Sequence, residues 1–118
     1  MENNNRYEDR PWGHFVVLSE DKYAKVKRIS VYPNQKLSYQ MHYKRNEVWT
    51  VVQGGGYVII DDVVQRVGTG SVLQIPAGHK HRIVNDHEFE PLVFIEVQHG
   101  EYFGEDDIIR FSDEYGRI

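Results

Sequence analysis

Between Gln40 and Glu47, within "SYQMHYKRNEVW", the chain places a glutamine, a histidine, an arginine and a glutamate in eight positions. A later stretch, "IPAGHKHRIVN", adds His79 and His81. An amide, imidazoles and a carboxylate are N and O donors of the kind that hold a divalent cation. Side chains two apart in a strand share a face, so Ser38, Gln40 and His42 point the same way. Glu47 follows five residues after His42, across a "YKRN" connection. Pairing of 37–43 with 47–53 through that connection would return Glu47 to the face of Gln40 and His42, and His81 would add a fourth donor from a later strand. A lone strand histidine is more often a hydrogen-bonded core or surface residue; the spacing of the whole set favours ligation. The set suits Zn, Mn, Fe, Co or Ni, with open positions left for water or substrate.

These donors need a scaffold, and 118 residues suffice for one domain with one hydrophobic core. The expected organisation is a single unit over 1–118, with an N-terminal arm at 1–12 and the barrel over about 13–112. Cysteine is absent, which excludes disulfides, thiolate metal sites and a cysteine nucleophile. The net charge of −4, from 14 basic and 18 acidic residues, gives no electrostatic footprint for nucleic acid. No segment approaches the roughly 18–20 apolar residues of a membrane span. The start, "MENNNRYEDRPWG", lacks the apolar stretch of a signal peptide. A cytoplasmic protein without a membrane or nucleic-acid partner is expected.

Runs rich in Val, Ile, Tyr and Trp occupy 14–20, 23–32, 37–43, 47–53, 57–61, 71–76, 80–85 and 92–98. Such residues fit pleated, half-buried surfaces. Breakers separate the runs at Pro33-Asn34, Gly54-Gly55-Gly56, Asp61-Asp62, Gly68-Thr69-Gly70 and Pro76-Ala77-Gly78. This rhythm predicts an all-β sandwich or barrel. A short helix or turn at 104–111, "GEDDIIRF", is the exception.

The motifs resemble those of cupins, whose first motif reads G-x5-H-x-H-x3,4-E-x6-G and whose second reads G-x5-P-x-G-x2-H-x3-N. The second matches at Gly70, Pro76, Gly78, His81 and Asn85. The first matches with Asn34 for its glycine and Gln40 for its first histidine, then His42, Glu47 and Gly54. The longer strings "YAKVKRISVYPNQKLSYQMHYKRNEVWTVVQG" and "PLVFIEVQHGEYFGEDDIIRFSDEYGR" resemble the C-terminal isomerase module of type II phosphomannose isomerases, often fused behind a mannose-1-phosphate guanylyltransferase domain. The resemblance implies a double-stranded β-helix (jelly-roll) barrel and a divalent metal (Zn, Co, Mn, Ni or Fe) on Gln40, His42, Glu47 and His81. It also implies a sugar phosphate as substrate and a homodimer. The sequence contains no guanylyltransferase part, so a stand-alone module without nucleotidyl transfer is expected. Val48 stands where the family usually has histidine. By strand parity Val48 points away from the Glu47 face, leaving the metal set intact. Asn34 tolerates the positive φ a turn requires.

Interconversion of mannose 6-phosphate and fructose 6-phosphate moves a proton between C1 and C2 through an enediol. It requires a base, an electrophile for the developing oxyanion and a phosphate anchor. Arg45 matches an arginine on which isomerase activity in the family depends, and its guanidinium suits an anionic intermediate or the phosphate. Glu96, a lone carboxylate in "FIEVQ", is the expected base, since burial raises a carboxyl's pKa; a structural glutamate bonded to Arg28 or Lys27 is the equal alternative. Gln98 shares its face. His79 and His99 are further candidates for proton shuttling, with shaping of the "PAGHKH" turn the alternative role for His79. Lys44, Lys80, Arg82 and Arg110 are phosphate-anchor candidates, although alternation turns Lys80 and Arg82 opposite to His81, towards a surface or subunit contact. Lys44, His79, Gln98 and Arg110 complete the expected substrate site. Trp12 and Tyr115 suit a barrel end or a dimer contact. The alternative functions are a non-catalytic sugar- or sugar-phosphate-binding cupin and another metal-dependent cupin enzyme, either a phosphosugar or nucleotide-sugar isomerase or a dioxygenase.

Overall fold

In the computed structural model, which describes residues 6–117, the alternation of inward apolar and outward polar residues resolves into eleven strands. They are β1 (Arg6–Arg10), β2 (Gly13–Glu20), β3 (Ala24–Val31), β4 (Tyr39–Met41), β5 (Arg45–Gln53), β6 (Gly55–Ile60), β7 (Val63–Gly68), β8 (Val72–Ile75), β9 (His81–Val84), β10 (Leu92–Gly100) and β11 (Ile109–Ser112). One sheet has the order β1-β2-β3-β10-β5-β8, the other β11-β4-β9-β6-β7. All neighbours are antiparallel. The two sheets face each other as a jelly roll. No helix among the described residues is long and apolar enough to cross a membrane.

Register matters more than strand count, because it sorts the interior into two halves. Phe94 of β10 lies opposite Ile29 of β3 and Val51 of β5. With Trp49, Val58, Ile83 and Leu92 these form the apolar core. Trp49 and Phe94 anchor it, with ring centroids 4.7 Å apart. The next inward row along the same strands holds Lys27 and Glu96 beside Trp49; the one after that holds Lys25, Gln98 and Glu47. All five polar residues are buried. Each strand therefore runs from an apolar to a polar stretch on one face, and the polar stretches meet at the same end of the barrel.

Turns hold this register. Gly54 has φ 74°, and a Cβ there would lie 2.3 Å from the Pro91 carbonyl oxygen. Asn34 takes φ 60°, as its tolerance of such turns allows. Asp61 and Asp62, both at positive φ, close the β6–β7 hairpin.

The structure sharpens three elements and corrects one expected pairing. Residues 6–10 of the expected arm form a strand paired with β2, while 1–5 lie outside the described residues. β7 lies at a sheet edge with most of its side chains exposed, so it carries no burial signal in the sequence. The 104–111 segment contains a turn closed by Asp107 N–H donating to the Gly104 carbonyl (3.2 Å), then β11. Strands 37–43 and 47–53 do not pair: β4 bonds β9 and β11, whereas β5 bonds β10 and β8.

Candidate metal centre

His42 follows β4, His81 opens β9 and Glu47 lies in β5, so the three donors come from both sheets and meet across the barrel. Their ligand atoms lie within 4.8 Å of one another, and all three residues are buried. His42 Nε2 is 3.3 Å from Glu47 Oε2, and His81 Nε2 is 3.7 Å from Glu47 Oε1. Donors about 2.0–2.2 Å from a shared cation sit at comparable mutual distances. Gln40 lies opposite His81 in the β4–β9 register and lines the same cavity.

The hydrogen bonds around the imidazoles fit a metal site. His42 Nδ1 donates to the Asp107 carbonyl (2.6 Å) and His81 Nδ1 to the His79 carbonyl (2.9 Å). Each ring's Nε2 is thereby turned towards Glu47, the orientation of ligating histidines, although His42 Nε2 also accepts from Arg45 Nη2 (3.1 Å). Burial pushes the His42 pKa down to about 4, against the pull of Glu47, so the ring is neutral. Burial pushes Glu47 up, but His81, Arg45 and His42 outweigh it and hold the carboxylate at about 2. Trp49 Nε1 donates to Glu47 Oε1 (2.9 Å) and fixes its orientation.

Arg45, 5 % exposed, donates from Nε to Glu47 Oε2 (2.8 Å) and from Nη2 to His42 Nε2 (3.1 Å). Its Nη1 is buried without a partner. A buried, unsatisfied guanidinium N–H is unfavourable unless an acceptor arrives. Glu96 lines the same cavity, and burial, then the charge of Glu47, raises its pKa to about 7. Lys27 lies opposite Glu96 in the ladder but bonds Glu105 instead (2.5 Å), and Arg28 is exposed on the other face. Glu96 therefore has neither expected ion-pair partner; its hydrogen bond comes from Gln98 Nε2.

The cavity holds about 70 Å³ between these side chains and opens to solvent at its mouth. Of the other expected residues, Arg110 lines it and Gln98 lies buried behind Glu96. Lys44 is exposed, its ammonium 5.3 Å from the Tyr102 ring centroid. His79 is exposed and paired with Asp61 (2.5 Å); it serves the site through its carbonyl, not its ring. His99 is exposed, and Lys80 lies over Phe111. Arg82 faces away from His81, as alternation requires, yet it is buried. Its Nε donates to the Leu37 carbonyl (2.7 Å) and its Nη2 to Ser112, tying β9 to β11. Val48 lies on the outer face, opposite Val97 and Gln74. Trp12 belongs to the core, with Tyr115 packed against it.

Sequence reasoning missed Glu105, Asp107, Arg10 and Arg117, and named Lys27 only as a partner for Glu96. The inward alternation of Lys25, Lys27, Ile29 and Val31 was the available signal for Lys27. Glu105 and Asp107 strap the loop before β11 over the site. Glu105 reaches Lys25 and Lys27, and the Asp107 carboxylate accepts from the Tyr43 and Lys44 backbone N–H groups.

The family description "Mannose-6-phosphate isomerase C-terminal" matches residues 2–113. The chain belongs to this cupin family. It is 42 % identical over 109 residues to a mannose-1-phosphate guanylyltransferase of Escherichia coli, covering 92 % of this chain and 23 % of that protein. It is 45 % identical over 108 residues to the xanthan biosynthesis protein XanB of Xanthomonas campestris, with the same two coverages. The module thus spans less than a quarter of the length of these curated relatives. Its fold is similar to that of a Klebsiella pneumoniae protein with a double-stranded β-helix domain (TM-score 0.71, 20 % identity, 83 % of this chain and 82 % of that one). It is also similar to a Streptomyces nucleoside dehydratase (TM-score 0.74, 17 % identity, 95 % and 90 %). At these identities the likeness establishes the double-stranded β-helix, as the sequence led one to expect.

Proposed function

We propose that this cupin module is a metal-dependent aldose-ketose isomerase that interconverts mannose 6-phosphate and fructose 6-phosphate. One juxtaposition carries the reading: a carboxyl poised near neutrality and a buried guanidinium with a free N–H line the same cavity as a His-Glu-His donor set. His42, Glu47 and His81, with Gln40 beside them, would hold the cation, whose chemistry when bound is Lewis-acid polarisation of the substrate's carbonyl and hydroxyl oxygens. Glu96 takes the proton from C2 of the aldose and returns it to C1, its pKa matched to the operating pH. Arg45 Nη1 donates to the oxyanion as charge develops on it, the arrangement by which fixed donors favour a transition state over a ground state. Gln98 holds Glu96 in place. Trp49 and the apolar row beneath it exclude water from the other side.

The test follows formation of fructose 6-phosphate from mannose 6-phosphate by the metal-loaded protein. Turnover is expected, with loss on chelation and a fall of about 100-fold or more in Arg45→Ala. Sugar-phosphate binding with no turnover would leave a binding module and overturn the isomerase reading.

A further inference from the structure

Three arginines line the cavity from separate segments: Arg10 at the end of β1, Arg110 in β11 and Arg117 near the C-terminus. Two of them are engaged. Arg10 donates to the Asp9 carbonyl (2.9 Å) and to Glu8 (3.2 Å), and its guanidinium lies over the Phe15 ring. Arg117 donates through two nitrogens to Asp113 (3.0 and 2.7 Å). Arg110 differs. Among the described residues no carboxylate comes within ion-pair distance of it, and its Nε is buried with no acceptor. Burial, then the charge of Arg117 and more weakly that of Arg10, push its guanidinium below the usual range, against the pull of Asp113 and Glu105. A guanidinium held beside like charges with an unsatisfied N–H becomes more stable when an anion with several acceptor oxygens arrives. Of the other cations, Arg45 is held by Glu47 and His42 beside the metal donors, where its unpartnered Nη1 serves the reacting end of the substrate; Lys27 bonds Glu105, Arg82 ties β9 to β11, and Lys44 is exposed.

Register sets the distance. Arg110 lies opposite Gln40, and Gln40 lies opposite His81. Neighbouring strands are about 4.8 Å apart, so the backbones of Arg110 and His81 are separated by about 10 Å. A six-carbon sugar with a terminal phosphate, extended by an arginine side chain, spans such a gap.

We propose that Arg110 is the anion anchor of the cavity and holds the terminal phosphate of a sugar monophosphate whose other end lies at His42, Glu47 and His81. The placement of the sugar rests on the isomerase reading, whereas the anion site does not.

Titration calorimetry on the intact, metal-loaded protein with mannose 6-phosphate, mannose and inorganic phosphate tests this. The wild type is expected to bind mannose 6-phosphate about 10- to 100-fold more tightly than mannose, the range for hydrogen bonds to a charged group. Arg110→Gln is expected to erase that difference while leaving mannose binding in place, Arg110→Lys to keep part of it, and Lys44→Ala to change nothing. In turnover, Arg110→Gln should raise KM with little change in kcat. Equal phosphate preference in wild type and Arg110→Gln, or none in the wild type, overturns the proposal. Inorganic phosphate binding as tightly as mannose 6-phosphate overturns the sugar-phosphate part. Should Arg110→Gln fail to fold, the shift of the Arg110 Nε–H resonance on adding mannose 6-phosphate to the wild type decides, and its absence counts against the anchor. Absent turnover with the Arg110-dependent phosphate preference intact would sink the isomerase reading alone.

Discussion

At the residue scale, Glu96 and Glu47 show how two buried carboxyls on neighbouring strands acquire opposite character. Both lose hydration, but Glu47 faces His81, Arg45 and His42, while Glu96 faces the negative charge of Glu47. A general base with a pKa near 7 gives kcat/KM that rises through that pH. Glu96→Gln is therefore expected to lower activity by about 10²–10⁴-fold and to abolish the acidic limb of the pH profile. A limb that survives the substitution would assign it to another group. The same shift acts on stability. The folded protein holds the Glu96 proton more tightly than the unfolded chain, so this contribution is fully present below the ordinary 4.5 and is lost as pH rises through about 7. Denaturant titrations of metal-free protein should show the wild type losing on the order of 3 kcal/mol relative to Glu96→Gln across that window. The sequence made these side chains legible because strand parity assigns a face to every residue, and Gln40, His42, Glu47, Arg45 and Glu96 all lie inward. Parity puts Lys27 on the inward face but does not say which group it reaches, so it could not show that Lys27 bonds Glu105 and not Glu96, or separate Arg110 from Lys44.

At the scale of elements, the site depends on loops and short strands that the sequence described less well. The β-rich runs stood out because their alternation reports a buried face. β7 and β11 lie at sheet edges with much of their surface exposed, so their patterns are indistinct. The acidic cluster before β11 reads in isolation as a short helix or a turn. In the fold, Glu105 is drawn to two buried lysines and Asp107 to two backbone N–H groups, and these contacts hold it as a turn. The second motif's Asn85 shows a motif position with an architectural role. Its amide donates to the carbonyls of Val31 (3.0 Å) and Glu90 (2.8 Å), and its oxygen accepts from the His87 N–H (3.0 Å), at 1 % exposure. Asn85→Ala strands these buried groups and is expected to destabilise the protein by about 2–4 kcal/mol. If the variant reaches a metal-bound folded state, its Arg45-dependent chemistry should persist; unchanged stability would show that water replaces the amide.

At the scale of the molecule, the donor set bridges the two sheets at the polar end of the barrel, with His42 and His81 from one and Glu47 from the other. In the unfolded chain these three residues are far apart, so a cation that needs all of them binds the native state alone. Such binding adds RT ln(1 + [M]/Kd), about 2.7 kcal/mol at a hundred times Kd. For a chain of 118 residues this corresponds to a rise in Tm of about 10 °C. N and O donors of this kind favour first-row transition ions over magnesium. Calorimetric melts in chelator, in cobalt or zinc and in magnesium should thus show the rise with the transition ions and little with magnesium. Glu47→Gln removes the charge that holds both imidazoles and should lose most of the rise, whereas Val48→His, on the outer face, should keep it. A rise of equal size in Glu47→Gln would place the cation elsewhere on the barrel and detach the metal from the cavity that contains Arg45 and Glu96.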